Sequence, residues 1–580
     1  MERHVKQAVI GSLLVLAVII VFGVAAVIRY FTPGKEWMEL SEYYSVPEKE
    51  AILILDDTVH ERNARLIDGR IYVDLATVQQ YFNHRFYWDE AEQVLSYTMP
   101  REIFRAGSGE AAYQIAAGTD ATDYAVVWML DKDVYISLDF VAEYSDISYK
   151  AYTASDVPGE PIQRVLISCT HEDYLYTDVL KKTQIRVEPD RKSKIVAEVQ
   201  SGDKLMLLEG GGTEQSRFLE VMTEDGVRGY VNKRHVGEGY YEAKGGNYIA
   251  PEYTSIHQKE KVNLVWHYVE TQAANNRLTE MLNGTEGINV ISPTWFRLNG
   301  SDGDFASIAS TEYVKEAHSR GILVWGLVKN FDTGTQVDTY KVLSRTSSRE
   351  RLIDGLIQEA LAFQLDGINV DFESLTIDAG PHFVQFLREL SVKCRNNNLV
   401  LSVDNYVPAN YNRYYDYVEQ GKIVDYVVIM AYDEHTSISE NAGSVASISY
   451  VENAISDTIA MVPAEKLIVG IPFYTRLWKE VVTEDVTVVS IAETPVMRNA
   501  EKIVDDRGIT PVWDEETAQY YAEYEEDGAI YRIWLEEERS IGEKLARAMQ
   551  AGAAGVAAWR LGQEKPEVWS VIMQHLDDTQ

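Results

Sequence analysis

From about Lys261 onward, short apolar runs alternate with amphipathic helical stretches, and there are eight such runs. They are Val262–His267, Ile288–Ser292, Ile322–Val328, Gly367–Asp371, Leu399–Val403, Val424–Met430, Leu467–Ile471 and Gly555–Trp559. Eight β/α units are what a closed parallel barrel requires, so this periodicity predicts a C-terminal (β/α)8 TIM barrel over 255–580. The long gap before the eighth run predicts an insertion, rich in aromatics at Trp513, Tyr520, Tyr521, Tyr524 and Tyr531. Such insertions usually sit at the top of a barrel and shape a cleft. A second small hydrophobic core is the competing expectation.

A barrel takes up little more than half of 580 residues, so further domains precede it. Residues 7–28 carry no charge and are almost wholly apolar, long enough for the roughly 20 residues that a bilayer demands. This predicts a transmembrane anchor behind a cytoplasmic tail over 1–6. A cleaved signal peptide, cut near Ala25 and Ala26, is the rival. Either way the remainder is expected outside the membrane. Asp and Glu number 90 against 54 Lys and Arg, a net charge of −36. That argues against nucleic acid as a partner. With only Cys169 and Cys394 in the chain, neither a disulfide framework nor a zinc site is encoded.

Residues 29–48 read as a linker. Beyond it, Ile71-Tyr72-Val73-Asp74-Leu75 with Val78 and Tyr81 recurs as Val134-Tyr135-Ile136-Ser137-Leu138 with Val141 and Tyr144. Each copy reads as a strand followed by a short helix. After the first, Phe86–Asp89 and Val94–Tyr97 form a strand–turn–strand pattern. The segment 49–170 resembles the copper amine oxidase N-terminal-like stalk domains of bacterial cell-surface proteins; it shows no clustered ligand set, and no metal is expected. Over 175–237, short β-runs (Ile185–Pro189, Lys194–Val199, Gly202–Leu208, Gly229–Val231) predict a small all-β barrel. Its order resembles bacterial SH3 domains, some of which bind cell-wall peptides and others of which only space.

The chemistry is expected at the fourth run. In Asp366-Gly367-Ile368-Asn369-Val370-Asp371-Phe372-Glu373, strand alternation puts Ile368, Val370 and Phe372 on one face and Asn369, Asp371 and Glu373 on the other. The two carboxylates then stand roughly 7 Å apart at the backbone. Burying them together is costly unless one holds a proton, a cost proteins accept mainly where chemistry is done. Active sites of such barrels lie at the C-terminal strand ends. There stand Trp295, Asp404, Asn405, Met430-Ala431-Tyr432-Asp433, the run Gly470–Trp478 with Tyr474 and Arg476, and Trp559. Aromatics over acids suit a neutral sugar and suit phosphorylated substrates poorly.

Asp-Gly-x-x-x-Asp-x-Glu on strand 4, Tyr-Asp after strand 6 and a Trp ending strand 8 resemble glycoside hydrolase family 18. Asn369, Met430–Asp433–His435, Pro472–Trp478 and Trp534-Leu535-Glu536 are similar to the branch containing spore cortex-lytic N-acetylglucosaminidases. The resemblance implies cofactor-free, substrate-assisted retaining catalysis, an exception to the two-carboxylate rule. Glu373 would protonate the leaving oxygen, Asp371 would orient the acetamido N–H, and Tyr432 would steady its carbonyl. Trp559 would floor the sugar, with Asn369, Trp295, Asp433, Tyr474 and Arg476 in the binding cleft. The implied partner is peptidoglycan or a chitin-like N-acetylglucosamine polymer. A non-catalytic glycan-binding wall protein and a chitinase acting on external chitin are the alternatives. The chitinase form of the motif usually carries Asp where this chain has Asn369, which removes one negative charge from behind Asp371.

Overall fold

The computed structural model describes residues 2–115, 118–153, 162–169, 173–208, 216–243, 248–331, 337–482 and 487–577. Parts of several expected domains therefore lie outside the described residues: 1 of the tail, 116–117, 154–161 and 170 of the stalk, 209–215 of the small barrel, and 332–336, 483–486 and 578–580 of the C-terminal barrel. The chain divides into two compact units. One comprises 1–86, 108–112 and 121–250; the other comprises 87–107, 113–120 and 251–580.

In the second unit all eight expected strands form. They are β1 (Val262–His267), β2 (Val290–Pro293), β3 (Leu323–Lys329), β4 (Gly367–Asp371), β5 (Val400–Asn405), β6 (Tyr426–Met430), β7 (Leu467–Pro472) and β8 (Gly555–Trp559). Each pairs in parallel with its neighbours, and β8 pairs with both β7 and β1, closing the barrel. Every residue of β1, β2, β4, β5 and β7 is buried. Burial on both faces is why these strands read as continuous apolar runs rather than alternating ones. Among their buried polar residues, Asn369, Asp371, Ser292, Ser402 and Asp404 gather in one place and are the ones that need explaining.

Between β7 and β8 stands the predicted insertion. It is a five-stranded antiparallel sheet (Leu477–Val482, Thr487–Glu493, Val512–Asp514, Gln519–Glu526, Ala529–Leu535) with the helix Met497–Asp505. Leu477, Ala500, Val504, Ala522, Ile533 and Leu535 form its own core, against which Tyr520, Tyr524 and Tyr531 pack. Of the two expectations for this segment, the second core is the one that materialises.

Tyr87–Asp89 and Val94–Thr98, the strand pair expected within the stalk, group instead with the barrel unit, as does the next strand, Ile103–Gly107. The helix Thr346–Phe363 has no side-chain cap of its own. Asp89 Oδ2 accepts the Thr346 N–H at 2.5 Å and Glu92 Oε2 accepts that of Ser347 at 3.0 Å. Orphan N–H groups at a helix start are thus met by carboxylates, supplied from more than 250 residues away in sequence. Beneath them Glu389, fully buried, lies between Arg349 at 3.2 Å and Arg105 at 3.1 Å. Burial works against the Glu389 charge, but the two guanidinium groups outweigh it and hold the carboxyl below its usual range.

In the first unit, the repeat is a structural one. Arg70–Asp74 and Asp133–Ser137 pair antiparallel, with Val73 opposite Ile136, and each runs into a short helical turn. The β-runs after 173 form a seven-stranded sheet running Ile195–Val199, Thr183–Arg186, Arg228–Asn232, Phe218–Thr223, Lys204–Leu207, Asp173–Asp178, Tyr240–Ala243. The stretch expected to be a linker is docked onto it. Trp37 bridges to Ile195, Met38, Leu40 and Tyr43 pack on its core, and the Tyr44 hydroxyl donates to the Gly226 carbonyl at 2.7 Å. The helix Glu2–Phe31 precedes it, and its span Val5–Phe31 is long and apolar enough to cross a membrane.

Candidate active site

A cavity of about 490 Å³ opens at the C-terminal ends of the barrel strands, where barrel chemistry is placed. Asp371 and Glu373 line it together with Asp404, Tyr406, Tyr432, Asp433, Tyr450, Tyr474, Trp266 and Trp559. Alternation does the positioning. Phe372 points away from the axis and stacks on Phe386 at 5.4 Å between near-parallel rings, so its two neighbours must face inward. The chain then turns at Ser374, whose φ is +53°. Glu373 is held by its main chain as well. Asn330, just after β3, accepts the Glu373 N–H at 2.8 Å and donates to its carbonyl at 2.9 Å.

Behind the two acids runs a buried polar chain. Asn369 Oδ1 accepts from Trp266 Nε1 at 3.1 Å and Ser292 Oγ at 2.9 Å; Asn369 Nδ2 donates to Ser402 Oγ at 3.0 Å and Asp404 Oδ1 at 2.8 Å. Asp404 Oδ2 also accepts from Trp266 Nε1, at 3.1 Å. Asn369, expected to bind substrate, is fully buried and does not line the cavity. Its amide is consumed by this network, so it acts on the site from behind. Asp371 Oδ1, although buried, has no hydrogen-bond partner among the described residues.

These surroundings set the protonation states. Burial, then the neighbouring Glu373 and Asp404 charges, push the Asp371 carboxyl well above the carboxylate range. Burial raises Glu373 too, opposed by the hydrogen bond from the Tyr406 hydroxyl at 2.7 Å and reinforced by Asp433. Asp404 is pushed up to about 7 by burial, against the pull of the Asn369 and Trp266 hydrogen bonds. Three carboxyls in one desolvated pocket share their protons as a set. One of them, Glu373, stands beside open cavity with its pKa raised above the usual carboxylate range, the direction that a general acid requires.

Tyr432 lines the cavity with its ring 6.3 Å from that of Tyr474, and burial pushes its hydroxyl up, keeping it a donor. Tyr474 donates to Asp433, which Arg476 also engages at 2.7 Å. Arg476 itself stays outside the cavity lining. Trp559 lies 5.8 Å from Trp266 at a tilt of 59°. Trp295, expected in the cleft, is fully buried elsewhere: its Nε1 donates to Asn275 and its ring meets Tyr313 edge-on. β2 ends at Pro293, and the turn that follows carries Trp295 into the core. None of the five insertion aromatics lines the cavity. Trp266, Tyr406, Tyr411 and Tyr450 do, unforeseen from the sequence. Trp266 and Tyr406 lie at or just beyond the ends of β1 and β5, so the strand-end rule had the power to find them.

Two expected results follow from this electrostatics. Asn369→Asp would set a second carboxylate against Asp404, and like charges in contact raise one another's pKa. Both limbs of the pH profile of kcat/KM should move to higher pH: the acid limb because Asp371 ionises later, the basic limb because Glu373 keeps its proton longer. An unmoved profile would sink this account of Asn369. Tyr406→Phe removes the bond that lowers Glu373, so the basic limb alone should shift upward, by an amount that a pH–rate titration resolves.

Residues 332–564 match the sequence model of glycosyl hydrolases family 18. The chain is 26% identical over 298 residues to the uncharacterized glycosylase YvbX of Bacillus subtilis, covering 49% of this chain and 84% of that protein. It is 23% identical over 266 residues to the cortical fragment-lytic enzyme of Bacillus anthracis, covering 44% of this chain and 60% of that one. Among solved structures, the Bacillus cereus spore cortex-lytic enzyme SleL aligns at 21% identity, over 59% of this chain and 78% of that one, with a TM-score of 0.48.

Proposed function

We propose that this chain, a glycoside hydrolase carrying a family 18 domain, is a membrane-anchored, extracytoplasmic enzyme that cleaves β-1,4 bonds after N-acetylglucosamine in peptidoglycan. The cleavage is substrate-assisted and retaining. The substrate's acetamido oxygen attacks the anomeric carbon, Glu373 gives its proton to the leaving glycosidic oxygen, and the sugar closes into an oxazoline-like ring. Asp371 accepts the acetamido N–H, and Tyr432 donates to the acetamido oxygen. Water then opens the ring as Glu373 takes back a proton.

The observation that carries this reading is the Asp371 Oδ1, unpartnered among the described residues, at the floor of an aromatic-walled cavity, two residues from a carboxyl biased toward its protonated form. A buried acceptor without a donor is costly, and an acetamido N–H supplies the missing partner. Similarity to a cortical fragment-lytic enzyme favours peptidoglycan over chitin. The N-terminal apolar helix supports anchoring, with the repeat-bearing segment as a stalk and the seven-stranded sheet as an SH3-like module that contacts wall peptides.

The test is digestion of purified peptidoglycan by the full-length protein, with reducing ends identified by mass spectrometry. New N-acetylglucosamine reducing ends support the proposal. Muramic-acid ends, or cleavage confined to chitin oligosaccharides, would overturn it. Sugar binding without cleavage would leave a lectin.

A further inference from the structure

No described residue of the insertion between β7 and β8 lines the cavity, yet the insertion is hydrogen-bonded to the segment that closes one side of it. That segment, 431–450, leads from the end of β6 into the helix Ile448–Ile459 and carries the cavity residues Tyr432, Asp433, Thr436 and Tyr450. Trp478 Nε1 donates to the Gly443 carbonyl at 2.7 Å, and the Ser444 hydroxyl donates to Gln519 Oε1. The Ile448 N–H donates to the Thr517 carbonyl at 3.0 Å. Inside the segment, the Glu434 N–H donates to the Val445 carbonyl at 2.9 Å, and His435 Nδ1 meets the Ser444 carbonyl at 2.9 Å. The stretch that the insertion grips is thus one hydrogen bond away from the neighbour of Asp433. Asp433 needs such holding, because its φ of +61° is a left-handed conformation uncommon outside glycine.

Gln519 passes the contact inward. Its Nε2 donates to Glu536 Oε1 at 2.8 Å, and Glu536 Oε2 accepts from Lys544 at 3.0 Å and Ser540 at 2.8 Å, both on the helix Glu538–Gln550. Ser444, Gln519, Glu536, Ser540 and Lys544 are all buried. An amide can turn over and exchange its donor and acceptor ends, whereas a carboxylate only accepts. Burial pushes the Glu536 carboxyl up and Lys544 opposes it; facing an ammonium and an amide N–H, Glu536 acts as the acceptor. It therefore compels Gln519 to present its NH2 group inward and its oxygen to Ser444. Ser444 then donates to that oxygen and keeps its own free to accept the Ala446 N–H at 2.9 Å. The direction of each bond, from Lys544 to the segment, follows from one buried charge.

We infer that Glu536 and Gln519 are positioning residues for the hydrolysis, acting through Ser444 on Tyr432 and Asp433, and that the insertion is a buttress for that side of the cavity. The inference rests on the hydrolase reading above and deepens it. Asp433 receives Tyr474 and Arg476, and Tyr432 is the donor to the acetamido oxygen in that reading. Both must stand correctly against Glu373 as the acetamido oxygen attacks. A misplacement of about 1 Å caused far from the chemistry can cost about 10²-fold. Because the contact concerned is used in the transition state, its loss lowers kcat and kcat/KM together.

The experiment uses the full-length protein and soluble N-acetylglucosamine oligosaccharides, at a temperature where every variant compared is folded. Gln519→Met cuts the link and leaves the Glu536–Lys544 pair whole. Its kcat should fall about 10- to 100-fold with KM little changed. Glu536→Gln lets the amide turn and should lose as much. Adding Gln519→Glu to Glu536→Gln exchanges the two groups, restores a fixed acceptor for Ser444, and should recover most of the loss. Hydrogen exchange read by mass spectrometry should quicken over 433–447 in both single variants, return in the exchanged one, and stay unchanged in β4. An unchanged kcat in Gln519→Met, a rise in KM alone, or an exchanged variant no better than Glu536→Gln overturns the inference. Should Glu536→Gln fail to fold, Gln519→Met decides alone. Should the wild type cleave nothing, the hydrolase reading fails and hydrogen exchange still judges the buttress. Faster exchange over 433–447 in Gln519→Met upholds it, and unchanged exchange refutes it.

Discussion

Glu373→Gln is expected to lower kcat on unactivated N-acetylglucosamine oligosaccharides by about 10²–10⁴-fold, the range that general-acid catalysis supplies. That corresponds to about 3–5 kcal/mol of transition-state stabilisation. The substitution is nearly isosteric. It retains the backbone clamp from Asn330 and an acceptor for the Tyr406 hydroxyl, so circular dichroism and melting should scarcely change. A second substrate separates acid catalysis from a disturbed pocket. A leaving group that departs without a proton, such as a dinitrophenolate, has no need of Glu373, and its cleavage should suffer far less. Equal losses on the two substrates would mean that the residue acts through structure and that the proton comes from elsewhere.

The second large effect concerns stability. Glu389→Gln leaves Arg349 and Arg105 facing each other across a site from which water is excluded. Removing one partner of a buried ion pair typically costs about 3–5 kcal/mol, because the remaining charge is uncompensated. Denaturant unfolding of the barrel unit should show a loss of that size. Its pH dependence carries a sign. The folded pKa of Glu389 lies below its unfolded value, so its contribution is complete above about pH 4.3 and vanishes as pH falls through the folded value. The gap between wild type and variant should therefore narrow in acid. A gap constant down to pH 3 would mean that the ion pair contributes nothing and that only shape matters. The double substitution Glu389→Gln with Arg349→Met should recover part of the loss, since it removes the stranded guanidinium.

Legibility from sequence followed how local the signal was. The eight barrel strands were readable because burial on both faces writes an apolar run of four to seven residues, and helical spacing separates one run from the next. Asp371 and Glu373 were readable because acids interrupted such a run at a two-residue interval. Trp295 misled because facing depends on a single residue of register, and the turn after Pro293 is invisible in composition. Tyr406, Tyr411 and Tyr450 were hidden among 36 tyrosines, most of them ordinary amphipathic packing residues. The docking of 29–48 and the transfer of 87–107 to the barrel unit were beyond reach for a different reason. Both depend on pairings between distant segments, and periodicity reports only on neighbours.

That transfer means the catalytic unit is not one continuous stretch of gene. A fragment cut at residue 255 to isolate the barrel would begin after Tyr87, Asp89, Glu92 and Arg105. It would lose the carboxylates that cap the helix Thr346–Phe363 and one of the two cations that neutralise Glu389. Recombination that moved the barrel into another host protein at the same boundary would inherit the same defect. Domain shuffling and domain truncation are thus closed to this chain at the place where sequence similarity makes them look easiest, and its front and back halves are bound to evolve together.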